Sequence, residues 1–162
     1  MRIRFFFLLA SLTLLWNGCF KYSFSGSTLP GHIKTVSMPL IENQSSEIGL
    51  EERLREKVYT AFSGINLFRL TDAGGDAELR LNIVSFQNIP DEYDASGNVK
   101  TYRVIIETDC QFRDNIENDD LFKGRLRGIG IYSHTNDTRE SGVESALTKL
   151  NEIIVNNTIS GW

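Results

Sequence analysis

Tyr102-Arg-Val-Ile-Ile-Glu-Thr-Asp-Cys-Gln-Phe112 alternates along its whole length. Tyr102, Val104, Ile106, Thr108, Cys110 and Phe112 fall on one side; Arg103, Glu107, Asp109 and Gln111 fall on the other. Successive side chains of a strand point to opposite faces, so the pattern predicts a strand with one dry and one wet face, the habit of an antiparallel sheet. Upstream, Ala77, Leu79, Leu81 and Ile83 alternate with Glu78, Arg80 and Asn82 in a second half-buried strand. Asn88 to Asn98 reads as a polar connection between the two. Downstream, a turn at 114–120 leads to a strand from Leu121 to Ser133, in which Gly124, Gly128 and Gly130 thin one face. Glycines inside a strand mark a bulge or a close approach.

Toward the N-terminus, Ile33 to Ile41 is rich in β-branched residues and reads as a strand broken late by Pro39. Residues 42–46 form a turn that supplies helix-capping side chains. Leu50, Leu54, Val58 and Phe62 then recur every fourth residue, one stripe of an amphipathic helix whose other face carries Glu51, Glu52, Arg53, Arg55, Glu56 and Lys57. Leu67 to Leu70 is a short strand. The last element is a helix opened by the capping-box pattern Ser141-Gly-Val-Glu144, with Val143, Ala146, Leu147, Leu150, Ile153 and Ile154 as its apolar stripe. The expected order is β-α-β-β-β-α. It implies an α+β two-layer domain, a four-stranded, mostly antiparallel sheet with two helices on one face.

The first nineteen residues carry a different message. Arg2 and Arg4 precede an apolar run from Phe5 to Trp16, followed by Asn17-Gly18-Cys19. As a helix this run rises roughly 18 Å against a hydrocarbon core of about 30 Å, too short to span. It reads as an export signal ending on a cysteine, which can be S-acylated to become a lipidated N-terminus. The alternative is an ordinary signal peptide with Cys19 incidental. The expected organisation is a signal peptide at 1–18, a lipidated tether at 19–32 rich in Ser and Gly, and one α+β domain at 33–162. With Cys19 acylated, Cys110 has no disulfide partner and reads as a small buried apolar residue.

The formal net charge of −4 becomes more negative once Arg2 and Arg4 leave with the signal, which argues against a nucleic-acid binder. His32 and His134 show no ligand spacing with another His, Cys or carboxylate, so neither a zinc site nor another metal site is expected. Asp91, Glu92 and Asp94 lack the full calcium-loop pattern. No serine lies in a Gly-x-Ser-x-Gly turn and no loop cradles phosphate. The reading is a binding or assembly protein rather than an enzyme, with no cofactor beyond a covalent lipid on Cys19. Lys100 and Arg103 open the long strand, and Arg125 and Arg127 lie on the next. Two readings of these cations stand side by side: cross-strand pairing with Glu107 and Asp109, or a cationic patch for an anionic partner such as a lipid phosphate.

Three stretches together resemble the LptE family of lipopolysaccharide-assembly lipoproteins. They are Cys19-Phe-Lys-Tyr-Ser-Phe-Ser-Gly26 leading to Leu29-Pro-Gly-His-Ile-Lys-Thr-Val36; Pro39-Leu-Ile-Glu-Asn43 followed by Gly49-Leu-Glu-Glu-Arg-Leu54; and Tyr93-Asp-Ala-Ser-Gly-Asn-Val99 ahead of Tyr102-Arg-Val. The resemblance implies a non-enzymatic protein, anchored through Cys19 to the periplasmic face of the outer membrane. It implies a plug inside an LptD-like β-barrel that helps the barrel fold and contacts lipopolysaccharide. A polar α+β domain suits a hydrophilic barrel lumen, and a lipid plus a protein partner give two attachments to the membrane. The alternative is another small envelope lipoprotein of a secretion or transport complex.

Overall fold

The computed structural model describes residues 29–160; the expected signal peptide at 1–18, Cys19 and the tether as far as residue 28 lie outside the described residues. The elements are β1 (Thr35–Ser37), β2 (Glu42–Asn43), α1 (Leu50–Ser63), β3 (Arg69–Thr71), β4 (Ala77–Tyr93), β5 (Val99–Asp114), β6 (Asp119–Ser133) and α2 (Arg139–Val155), which runs on into one wider turn at Asn156–Ser160. They form an α+β domain with a six-stranded sheet, in the order β3-β1-β4-β5-β6 with β2 also on β4.

The sheet is mixed rather than four-stranded and mostly antiparallel. Two physical causes account for the difference. Pro39 has no amide to continue a ladder, so the expected Ile33–Ile41 strand is cut back to β1, and β2 forms just beyond it, at the start of the expected 42–46 turn; the two lie in succession along the same edge of β4. Helix α1 then acts as a crossover, returning the chain parallel to β1 as β3; β1 and β2 also run parallel to β4. Only β4–β5 and β5–β6 are antiparallel.

The connection expected at Asn88–Asn98 is mostly strand. β4 continues through bulges after Ile83 and Pro90 to Tyr93, and the turn itself is only 94–98. Asp94 Oδ1 accepts from the amides of Ser96 and Asn98 at 2.8 and 2.9 Å, and Gly97 supplies the left-handed φ of 85°. Apolar alternation fades here because this end of the hairpin is wet on both sides: Asp91, Glu92 and Tyr93 are partly or fully exposed.

The core lies between the sheet's inner face and both helices. Leu50, Leu54, Val58 and Phe62 of α1 meet Leu79, Leu81 and Ile83 of β4, Val104, Ile106 and Phe112 of β5, and Val143, Leu147, Leu150 and Ile154 of α2, all buried. The cap of α2 differs from the sequence reading. Thr138, not Ser141, is the N-cap: its hydroxyl accepts from the Ser141 amide at 3.2 Å. Glu144 turns away from the cap to pair with Arg53 and Lys57 of α1. Helix α1 begins after Gly49 with no side-chain cap; Asn43 organises the approach by donating to Glu47 O and Glu51 Oε2.

Helix α2 sits directly on β6. A Cβ at Gly128 would lie 2.2 Å from the Ala146 carbonyl oxygen, and one at Gly130 would lie 2.1 Å from that of Gly142. Two of the three glycines read as thinning one face, Gly128 and Gly130, are thus the floor under α2, whereas Gly124 meets only the Phe122 ring. Leu29 joins the core at 8 % exposure. His32 Nε2 lies 2.5 Å from Asp114 Oδ2.

Candidate binding face

Both helices lie on one face, so the sheet's other face is bare among the described residues. Strand register orders its side chains. Arg80 is opposite Gln111, which is opposite Lys123; Asn82, Asp109 and Arg125 form the next line, and Ser85, Glu107 and Arg127 the third. Gln87, Ile105 and Ile129 follow, then Ile89, Arg103 and Ile131. One half of the face is therefore a ladder of charges and the other half is branched apolar surface. Ile89, Ile129 and Ile131 are 42 %, 39 % and 53 % exposed.

The charged half is internally paired. Arg125 grips Asp109 with two bonds, Nε to Oδ1 at 2.7 Å and a terminal nitrogen to Oδ2 at 3.0 Å. Arg127 reaches Glu107 Oε1 at 2.9 and 2.5 Å, and Ser85 donates to the other oxygen of Glu107 at 3.0 Å. These charge-assisted bonds, chiefly from Arg127 and then Ser85, hold the Glu107 carboxyl below its ordinary range; the bond from Arg125 does the same for Asp109. Cross-strand pairing is thus what the arginines do in this structure. Each retains free N–H groups toward solvent, since a guanidinium carries five donors.

The structure brings Arg125 and Arg127 together and leaves the other two expected cations apart. Arg103 is separated from them by the isoleucines and pairs with Asp91 at 2.5 Å. Lys100 lies on the opposite parity of β5 near the hairpin turn and pairs with Glu92 at 3.2 Å. The lipidation residue Cys19 lies outside the described residues. Sequence reasoning missed Arg80 and Lys123, which with Asn82, Gln111 and Arg125 line a concavity of roughly 680 Å³ on this face. Lys123 is only loosely held, 3.9 Å from Asp120. Both residues were visible as polar members of alternating strands; what was missing was the register that sets them on either side of Gln111.

Two other clusters are structural. Asp114 is fully buried. Burial raises its carboxyl, but amide bonds from Glu117 and Ile116 and the His32 contact outweigh this and hold it below its ordinary range. The Cys110 thiol is buried and pushed up to about 12 by desolvation, which leaves it inert as a nucleophile. Among the described residues no group of three or more His, Cys, Asp or Glu is placed to hold a metal ion, and no helix is long and apolar enough to cross a membrane.

A family model described as LptE, lipopolysaccharide-assembly, matches residues 33–157. No curated protein sequence matches the chain. Among solved structures, a hypothetical protein of Chlamydia trachomatis is similar at a TM-score of 0.58 and 9 % identity, over 76 % of this chain and 94 % of that one. A protein of Xanthomonas campestris is similar at 0.54 and 13 % identity, over 80 % and 85 %. A PelC variant of Paraburkholderia phytofirmans, described as a dodecamer, is similar at 0.52 and 13 % identity, over 85 % and 95 %. At such identities these likenesses establish a shared fold.

Proposed function

We propose, from the premise that this chain belongs to the LptE family of lipopolysaccharide-assembly proteins, that it is a non-enzymatic lipoprotein of the outer-membrane lipopolysaccharide translocon. Cys19 carries the lipid and holds the domain at the periplasmic face of the outer membrane. The domain plugs an LptD-like barrel, helps it fold, and contacts lipopolysaccharide on its way outward.

The observation that carries this reading is the family match, which spans the sheet and both helices. The bare sheet face supports it. A plug needs a surface that tolerates a wet lumen and still offers contact, and this face supplies paired charges over one half and isoleucines over the other. The candidate lipopolysaccharide contacts are Arg125 and Arg127, joined by Arg80 and Lys123. Phosphate competes there with Asp109 and Glu107, so each contact is modest singly and gains from geometry. Arg103, farther along the same face beyond the isoleucines, and Lys100, on the opposite parity of β5, are secondary candidates.

Depletion in the native host tests the function. Newly made lipopolysaccharide should fail to reach the cell surface, and barrel monomers should accumulate unfolded. Normal surface lipopolysaccharide in depleted cells would overturn the proposal. Replacing Arg80, Lys123, Arg125 and Arg127 by Ala should weaken lipopolysaccharide binding by the purified protein; unchanged binding would remove these four from the contact set.

A further inference from the structure

β6 is a long strand with one free edge. Among the described residues it pairs only with β5, and from Phe122 to Ser133 that pairing runs without a break in register. The other outlying strands, β3 and β2, have three and two residues. Folded proteins usually blunt a long edge by shortening it, kinking it with a bulge, placing proline on it or lining it with charge, because its unpaired N–H and C=O groups template another strand; charge, at Lys123, Arg125 and Arg127, is the one of these devices that β6 carries. β6 has no proline and no bulge over those twelve residues. On the outer face its side chains read Lys123, Arg125, Arg127, Ile129, Ile131, and all five are exposed. Arg125 and Arg127 are drawn toward β5, away from the edge, by Asp109 and Glu107.

We infer that the β6 edge is a docking site for an extended segment of another protein, which adds to the sheet as a further strand. Its chemistry follows from cross-strand pairing: carboxylates at alternate positions facing Lys123, Arg125 and Arg127, then β-branched apolar residues facing Ile129 and Ile131. Charge complementarity favours such a segment over the other occupants. Residues 122–133 contain no Asp or Glu, so a second β6 edge laid antiparallel along them offers no carboxylate to these cations. Residues 1–28 and 161–162 contain no Asp or Glu, so these two segments lack the complementary charge. This inference does not rest on the identity of the barrel partner.

The test uses the purified full-length protein in detergent and two blocked peptides, Val-Thr-Val-Thr-Glu-Thr-Glu-Thr-Glu and its counterpart with Lys in place of Glu, read by binding and by amide hydrogen exchange. The Glu peptide should bind about tenfold more tightly than the Lys peptide, the scale expected of three cross-strand ion pairs. It should slow exchange at alternate amides of β6 and at no other strand. Lys123→Glu, which disturbs only a 3.9 Å contact with Asp120, should weaken the Glu peptide and strengthen the Lys peptide. Equal binding of both peptides, absence of binding, or protection elsewhere would overturn the inference. So would outward β6 amides already protected in the free protein, whether that protection rises with protein concentration, as for a second copy, or vanishes when residues 19–28 are removed. Because only purified protein is used, such a failure leaves the translocon reading untouched.

Discussion

Replacing Gly130 by Ala should show that the contact between α2 and β6 holds the two layers in register. The new methyl would stand 2.1 Å from the Gly142 carbonyl oxygen and 2.6 Å from the Ala146 amide nitrogen, where ordinary contact begins at 3.4 Å. Both obstacles are helix backbone, so no rotamer change relieves them, and α2 must lift by about 1 Å to restore normal packing. That movement strains the burial of Val143, Leu147, Leu150 and Ile154, each 0 % exposed. Overpacking of this kind costs about 1–3 kcal/mol. Rigid backbone obstacles put Gly130→Ala near the upper end; removing a flexible glycine from a strand returns about 0.5 kcal/mol. A net loss of about 2–3 kcal/mol is expected, a large part of an ordinary domain's stability of roughly 5–15 kcal/mol. Gly124→Ala is the control. Its methyl meets only the far end of the half-buried Phe122 ring at 3.1 Å, a side chain rather than helix backbone, and should change stability by less than about 0.5 kcal/mol. Urea unfolding followed by circular dichroism reads both, with an unchanged slope and a shifted midpoint. Equal midpoints for the two variants would refute the claim that α2 rests on a glycine floor.

Asp114→Asn should cost about 2 kcal/mol near neutral pH, since it removes a charged acceptor for the Glu117 and Ile116 amides and for His32. Its carboxyl is held low in the fold, so its contribution is present above the ordinary value of about 3.9 and is lost as pH falls through the folded value; the variant should therefore lose less stability than the parent on acidification below about pH 4. Urea midpoints measured from neutral to acid pH check this, and parallel acid losses would contradict it. Thr138→Ala should cost about 1 kcal/mol as a lost N-cap and Ser141→Ala distinctly less; the reverse order in thermal melts would restore Ser141 as the cap. Cys110, with its thiol pushed up to about 12, should resist maleimide in the native protein at neutral pH and react fully once unfolded; rapid native labelling would show that the β5 core is open.

The parts legible in the sequence are those with strong periodicity. The Leu50–Phe62 stripe, the Val143–Ile154 stripe and the alternation of β5 each bury one face against one core, and each is found where the pattern puts it. Harder to read were the elements whose partners are distant in the chain. β1, β2 and β3 are three residues or fewer, and their parallel pairing follows from the α1 crossover rather than from their own side chains. The outer end of the β4–β5 hairpin lacks apolar alternation because, among the described residues, no helix covers it. The same limit governed the binding face. Arg125 and Arg127 were visible as neighbours on a strand, whereas Arg80 and Lys123 joined them only once Gln111 was seen to stand between them. His32 pairs with Asp114 across eighty-two positions, a contact no local spacing announces.

Affinity purification of the tagged chain from detergent-solubilised outer membranes, with the co-purifying proteins identified and quantified, tests the central claim most directly. A large LptD-like barrel recovered in near-equal amount is the predicted result, with the yield falling when Cys19→Ser removes the anchor. Recovery of the chain without such a barrel, or in a ring of its own copies, would contradict the account.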